Sequence, residues 1–462
     1  MVTRPLAELA QMMNGQLIQG RPEEIINSYA FDTRNILPGA LFFALQGERD
    51  GHEFILEAWK KGAKGACVSK MPVGLPAEFG LILVDDTLEA LQTLAAQVLS
   101  QHRVKIVAIT GSLGKTSTKE FTSRLLSSRY KVLKSPGNYN NQIGVPISIL
   151  SLDDSHEVIV LEMGMSQAGE IKKLTRIAPP DFAVITGIAP VHLEFFNNLE
   201  DIALAKKEIL DGARPGAVAI LNGDDPLVRK IAENYSQGPI IYFGTGEDCQ
   251  VRALHTRSLG LNGIQFHLIY GQKETEVRVP FLNEGLINNL LAACAVALSF
   301  GLELKEIQPA FSDLPSIEHR GQLIELNQGI LIYDDSYNSN PVALERVLKS
   351  LGEIKAHRKI AVLGDMLELG PQEVQFHRQA GKTVAETNWD LLFTVGSRAE
   401  QLANGAVENG FNRNKIFSFG QAGEAAKFLQ SLVEPGDFIL IKGSRALSLD
   451  QIVEFLKKGL EA

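Results

Sequence analysis

Residues 110–117, "TGSLGKTS", place two glycines, a lysine and several hydroxyls where an apolar strand gives way to a polar helix. Glycines at such a turn let backbone amides approach phosphate, and a helix N-terminus favours an anion. Thr110, Gly111, Ser112, Leu113, Gly114, Lys115, Thr116 and Ser117 are therefore candidate nucleotide contacts, with Lys115 as the point charge and the Thr116 hydroxyl within reach of magnesium. Ile109 stands where the strict pattern asks for a further glycine, so the motif is a shortened variant. Glu162 closes the apolar run "EVIVLE" and should project at the same sheet edge, as a magnesium ligand or as a solvated strand-end acid. His192 follows another strand end, where a lone histidine is more often structural or on the surface than catalytic. Lys206 shares a helix face with Ile202, Ala205, Ile209 and Leu210, whereas Lys207 turns away. Such a lysine either snorkels its head to water or is a desolvated amine with a lowered pKa.

The elements that must position these groups fall into three blocks. Residues 1–102 mix short strands and helices; residues 103–315 open with the strand before the phosphate turn and continue in a βαβ rhythm. Within the second block, residues 248–282 alternate like an antiparallel insertion. Residues 316–462 alternate strand and helix as a doubly wound α/β domain does. The expected fold is thus three-domain α/β: a small N-terminal domain, a central P-loop ATPase with a mainly parallel sheet, and a C-terminal Rossmann-like domain. A formal charge of −9 argues against a general nucleic-acid or membrane binder. The three cysteines are far apart, with no metal-ligand spacing, and no run of 18 apolar residues occurs. A monomer in the cytoplasm is the expectation.

"TGSLGKTSTKE", "LEMGM", "AKKEI" and "LNGDDP" resemble, in order and spacing, the Mur ligases, which build the peptide of the cell-wall precursor. Further stretches resemble the branch that joins a UDP-muramoyl tripeptide to D-alanyl-D-alanine. These are residues 31–54 ("FDTRNILPGALFFALQGERDGHEF"), 137–146 ("GNYNNQIGVP"), 318–322 ("EHRGQ"), 334–341 ("DDSYNSNP"), 364–370 ("GDMLELG") and 442–445 ("KGSR"). The resemblance implies a first domain for the UDP-sugar, a second for ATP, and a third that closes over ATP and brings the incoming amine. It implies that Asp32, Thr33 and Arg34 contact the nucleotide-sugar, and that Asn138, Asn141, Asn338, Lys442, Ser444 and Arg445 contact substrates. Asn289 would approach the adenine, with Arg320 and Asp335 reaching the nucleotide from the hinge and third domain. Thr116, Glu162, His192 and Lys206 would form the metal site for two magnesium ions, with Lys206 carbamylated by carbon dioxide; Lys115, Glu162, His192 and Lys206 would carry catalysis. Gly285, Ser339 and Asp450 depart from the family's usual histidine, alanine and glutamate. The activity implied is ATP-dependent peptide-bond formation through an acyl phosphate.

Overall fold

The computed structural model describes residues 2–191 and 193–460. Three large sheets lie along the chain. A five-stranded sheet runs, in spatial order, Gln16–Gln19, Gly80–Leu83, Gly65–Val68, Ala40–Phe43 and Ser28–Ala30, with only the first pair antiparallel. A six-stranded sheet closes the chain, with Leu331–Asp335, Asp437–Lys442, Arg358–Gly364, Leu391–Val395 and Ile416–Phe419 all parallel, and Gln322–Glu325 antiparallel at its edge.

The sheet between them has nine strands. Its parallel part places Lys105–Thr110 between Val158–Glu162 and Phe182–Ile185, so the phosphate turn and Glu162 emerge side by side at one carboxyl edge. Ligands of parallel α/β sheets bind at that edge. The expected insertion is present as antiparallel strands Val251–Ser258, Ile264–Tyr270 and Lys273–Val279. Strands buried on both faces read as unbroken apolar runs because each side chain has a core to enter. In Lys105–Thr110, Ile106 and Ala108 enter one core while Val107 and Ile109 enter the other. Ala361 and Leu363 likewise face the core opposite to that of Ile360 and Val362.

The helix Thr87–Gln101 is capped by Asp86, whose carboxylate accepts from Leu88 N and Glu89 N. Its buried side chains Leu91, Leu94 and Val98 belong to the same continuous core as Ile106, Ile149 and Ile171. The first two blocks therefore share apolar interior rather than touching at a polar seam. The helix Gly285–Ser299 is buried along Leu290–Ala297 and packs against Phe121 and Leu125 of the phosphate helix, Lys115–Leu126. All three cysteines are buried free thiols. Among the described residues no helix is long and apolar enough to cross a membrane.

Candidate active site

Two glycines shape the phosphate turn. Gly111 has φ +147°, and a Cβ there would lie 1.8 Å from Thr186 Oγ1; Gly114 has φ +75°, and a Cβ there would lie 2.0 Å from Asn289 Oδ1. Only glycine fits both the conformation and the space. The turn is tied to the loop after the neighbouring strand: Ser112 N donates to Gly187 O (2.9 Å), Ser112 Oγ to Ala189 O (3.1 Å), and Thr186 Oγ1 to Leu113 O. A backbone cradle held in this way suits phosphate oxygens. Among the described residues Thr110 Oγ1, at the end of the preceding strand, is buried without a hydrogen-bond partner.

Lys115 is half-buried and donates to Gly111 O at 2.8 Å. Burial lowers its pKa, the Glu162 carboxylate opposes that, and Arg320 adds to it. Thr116 and Ser117 are buried in the first turn. Thr116 Oγ1 donates to Glu162 Oε2 (2.8 Å), and Asn140 Nδ2 donates to Glu162 Oε1 (2.8 Å), so both carboxylate oxygens are oriented. Among the described residues no three His, Cys, Asp or Glu side chains converge as a metal cluster. A cation at Thr116 and Glu162 would thus complete its shell from phosphate or other oxygens, as hard-cation sites in phosphate-binding proteins do. The donor set fits magnesium. His192 lies outside the described residues.

Lys206 is 2% exposed. Burial pushes its pKa well below that of a free lysine, and Lys115 pushes it further down. The snorkelling alternative is thereby set aside for this side chain, since its head stays in the interior beside another amine. Lys207 instead pairs with Asp211 at the surface.

A cavity of about 500 Å³ joins Lys115 and Glu162 to residues from the last block. Arg320, Asp335, Asn338 and Lys442 line it, as does Asn289. Lys442 Nζ donates to Asp335 Oδ2 (2.6 Å) and to Asn338 O (3.0 Å). Burial raises the Asp335 pKa against the pull of Lys442 and Arg320. The Arg320 guanidinium lies 3.8 Å from the Tyr337 ring centroid, and that of Arg445 lies 5.7 Å from it. Arg445 also pairs with Asp450 at 3.4 Å, a contact that aspartate, the shorter acid, makes here. Ser444 Oγ accepts from Leu367 N (2.9 Å) and so fixes the loop 364–370 rather than lining the cavity. A Cβ at Gly285 would lie 3.0 Å from Asn283 Oδ1 and 3.4 Å from Arg346 Cδ, so a larger side chain there would crowd both.

Other expected contacts lie apart from this cavity. Asp32 and Arg34 bind each other, with Arg34 Nε 3.0 Å from both carboxylate oxygens, and this pairing lowers the Asp32 pKa. Thr33 is buried and its carbonyl accepts from Lys61 Nζ (3.1 Å). Asn141 accepts from Ile143 N and Gly144 N at the start of the helix Gly144–Ile149, and Asn138 is exposed. The asparagine of that run that reaches Glu162 is Asn140, which sequence pattern does not separate from its neighbours. Lys119, fully buried near Glu162, was equally unmarked, although it stands one helical turn after Lys115.

Residues 109–297 match the Mur ligase middle domain, and residues 319–445 the Mur ligase glutamate ligase domain. A UDP-N-acetylmuramoyl-tripeptide–D-alanyl-D-alanine ligase of Bacillus subtilis is 34% identical over 99% of both chains. The chain belongs to the Mur ligase family. Among solved Mur ligases, a crystal structure of MurF from Acinetobacter baumannii superposes with a TM-score of 0.88 at 31% identity, over 99% of each chain. The MurF ligase of Thermotoga maritima in complex with ADP superposes at 0.80 with 30% identity, over 94% of this chain and 98% of that one. The mixed α/β architecture, with mostly parallel sheets, is that of the family.

Proposed function

We propose that this chain is the ATP-dependent ligase that joins UDP-N-acetylmuramoyl-tripeptide to D-alanyl-D-alanine in peptidoglycan synthesis, acting in the cytoplasm as a monomer. The observation that carries the reading is full-length similarity to ligases of that name, at 34% identity across 99% of the chain. A phosphate cradle, an oriented carboxylate and a buried amine within one region support it. We assign residues 1–102 to the UDP-sugar, 103–315 to ATP, and 316–462 to closure over ATP and to D-Ala-D-Ala.

A carboxylate does not react with an amine until one of its oxygens becomes a leaving group. The tripeptide carboxylate takes the γ-phosphoryl group of ATP, releasing ADP and leaving an acyl phosphate. The D-Ala-D-Ala amine then attacks the acyl carbon, and phosphate departs with the C–O electron pair. The barrier is electrostatic, because an anion must approach an anionic phosphoryl group. Magnesium at Thr116 and Glu162 supplies charge neutralisation when bound. Lys115 adds a fixed positive charge from the turn, and the amides of residues 111–116 orient the phosphates. Thr116 and Asn140 hold the Glu162 oxygens in place. Lys442 pairs with Asp335 at the facing wall and opposes the rise that burial imposes on its pKa. Asp32 and Arg34 serve the nucleotide-sugar. Burial lowers the Lys206 pKa and so favours the neutral amine, the form that would add to carbon dioxide with loss of a proton; the resulting carbamate would offer oxygen ligands for a second magnesium. His192 belongs to the same proposed metal site. The test is ADP release with each substrate alone and with both: release requires the UDP-tripeptide, and peptide product requires both. Full ADP release without either would replace this reading with that of a simple ATPase.

A further inference from the structure

Lys119 is a buried ammonium to which the ligation chemistry assigns no step. It is 0% exposed, on the phosphate helix one turn beyond Lys115 and Thr116. A buried charge persists only where it is paired. Its partners come from three directions: Nζ donates to Gly137 O (2.6 Å), faces Glu120 Oε1 at 3.3 Å, and lies 3.9 Å from Glu162 Oε2. Glu120 is shared with Lys134, so its charge is already half-committed.

The Gly137 carbonyl belongs to a loop, residues 135–141, held mainly at its ends. Ser135 is bound by Val160 O through its amide and by Glu162 N through its hydroxyl; Asn140 is bound by Glu162 and by Gly164 N. Gly137 itself has φ +48° and nothing within 4 Å of a Cβ position, so side-chain packing does not fix it. Among the described residues, the one charged side chain tethering the middle of the loop is Lys119. From that loop Tyr139 reaches the first block, its ring 6.0 Å from that of Phe31, the residue before Asp32.

We propose that Lys119 is a positioning residue for the UDP-peptide substrate, acting through Gly137 and Tyr139 on the Phe31–Arg34 loop. The inference rests on the ligase reading above. A strut of this kind links the helix that cradles phosphate to the loop that meets the nucleotide-sugar, so both ligands bear on one rigid body. Removing the ammonium frees the loop and leaves the phosphate turn, whose glycines and Thr186 tether are independent of it, in place.

The test uses the full chain and calorimetric titration of UDP-MurNAc-tripeptide and, separately, of a non-hydrolysable ATP analogue with magnesium. Lys119→Met should weaken the tripeptide about tenfold, and at least about fivefold more than it weakens the ATP analogue. Tyr139→Leu, which leaves the buried ammonium paired, should weaken the tripeptide about fivefold, and the double variant should be no worse than the larger single effect by more than about twofold. A merely structural role would lower the melting temperature and both affinities together, which contradicts the inference. So would a Tyr139→Leu variant that binds the tripeptide as the wild type does, a readout independent of whether Lys119→Met folds. A wild type that binds the ATP analogue but no UDP-tripeptide would instead overturn the ligase reading, and this inference with it.

Discussion

At the scale of single residues, the site is governed by groups whose surroundings leave them no alternative. Gly114→Ala would force a left-handed backbone onto a residue with a Cβ and drive that carbon to 2.0 Å from Asn289 Oδ1. Nucleotide affinity should fall by about tenfold or more, read by titration with the ATP analogue. Lys115→Ala should cut kcat/KM by about 10³-fold with a melting temperature within about 3 °C of wild type, since the side chain is half-buried and donates to a carbonyl of its own turn. Near-normal ligation by that variant would remove the phosphate assignment. Lys206 gives a pH signature. Its folded pKa is depressed, so between that value and the unfolded value near 10.5 the unfolded chain binds the extra proton, and stability rises with pH. In carbon-dioxide-free buffer the melting temperature of wild type should climb relative to Lys206→Met between pH 7 and 9.5; parallel curves would mean that Lys206 is not desolvated. These residues were legible because each signal is local: glycines and a lysine in one turn, or a lysine on an apolar helical stripe. Asn140 and Lys119 were not, because their roles depend on Glu162 and Gly137, which only the fold brings near.

At the scale of elements, hydrophobic periodicity was sufficient to mark most strands and helices, and the antiparallel insertion at residues 251–279 follows its alternation closely. What periodicity does not state is which core an apolar face enters. The helix Thr87–Gln101 reads as the last element of the first block, yet Leu94 is fully buried in a core continuous with Ile106 and Ile149 of the second. Leu94→Ala should therefore cost about 2–5 kcal/mol. The loss should appear in hydrogen exchange at both Ala40–Phe43 and Lys105–Thr110; protection lost in the first strand alone would show that the two blocks unfold separately. The run "GNYNNQIGVP" shows the same limit. Its asparagines are chemically equivalent in the sequence, and the fold sends Asn140 to Glu162 while Asn141 accepts from the first amide of the helix Gly144–Ile149.

At the scale of the whole molecule, the last block and the phosphate turn line one cavity. Arg320, Asp335 and Lys442 share one cavity with Lys115, and Leu193 N donates to Glu368 O (2.9 Å) across the divide. That arrangement is one in which an acyl phosphate could be shielded from water while the amine arrives. The Asp32–Arg34 pair does not line that cavity; the neighbouring Phe31 ring lies 6.0 Å from that of Tyr139. Arg34→Ala should accordingly raise the KM for the UDP-tripeptide by about tenfold and change the KM for ATP by less than about twofold. Equal damage to both would place that loop at the nucleotide. Phosphoryl transfer in the proposed reaction serves a bond between two particular substrates. This is tested most directly by following ADP and peptide together, with UDP-MurNAc-tripeptide and D-Ala-D-Ala supplied singly and jointly. One UDP-MurNAc-pentapeptide per ADP, formed only when both are present, is the predicted result; ADP released at the same rate without the UDP-tripeptide, and no pentapeptide with both, would contradict it.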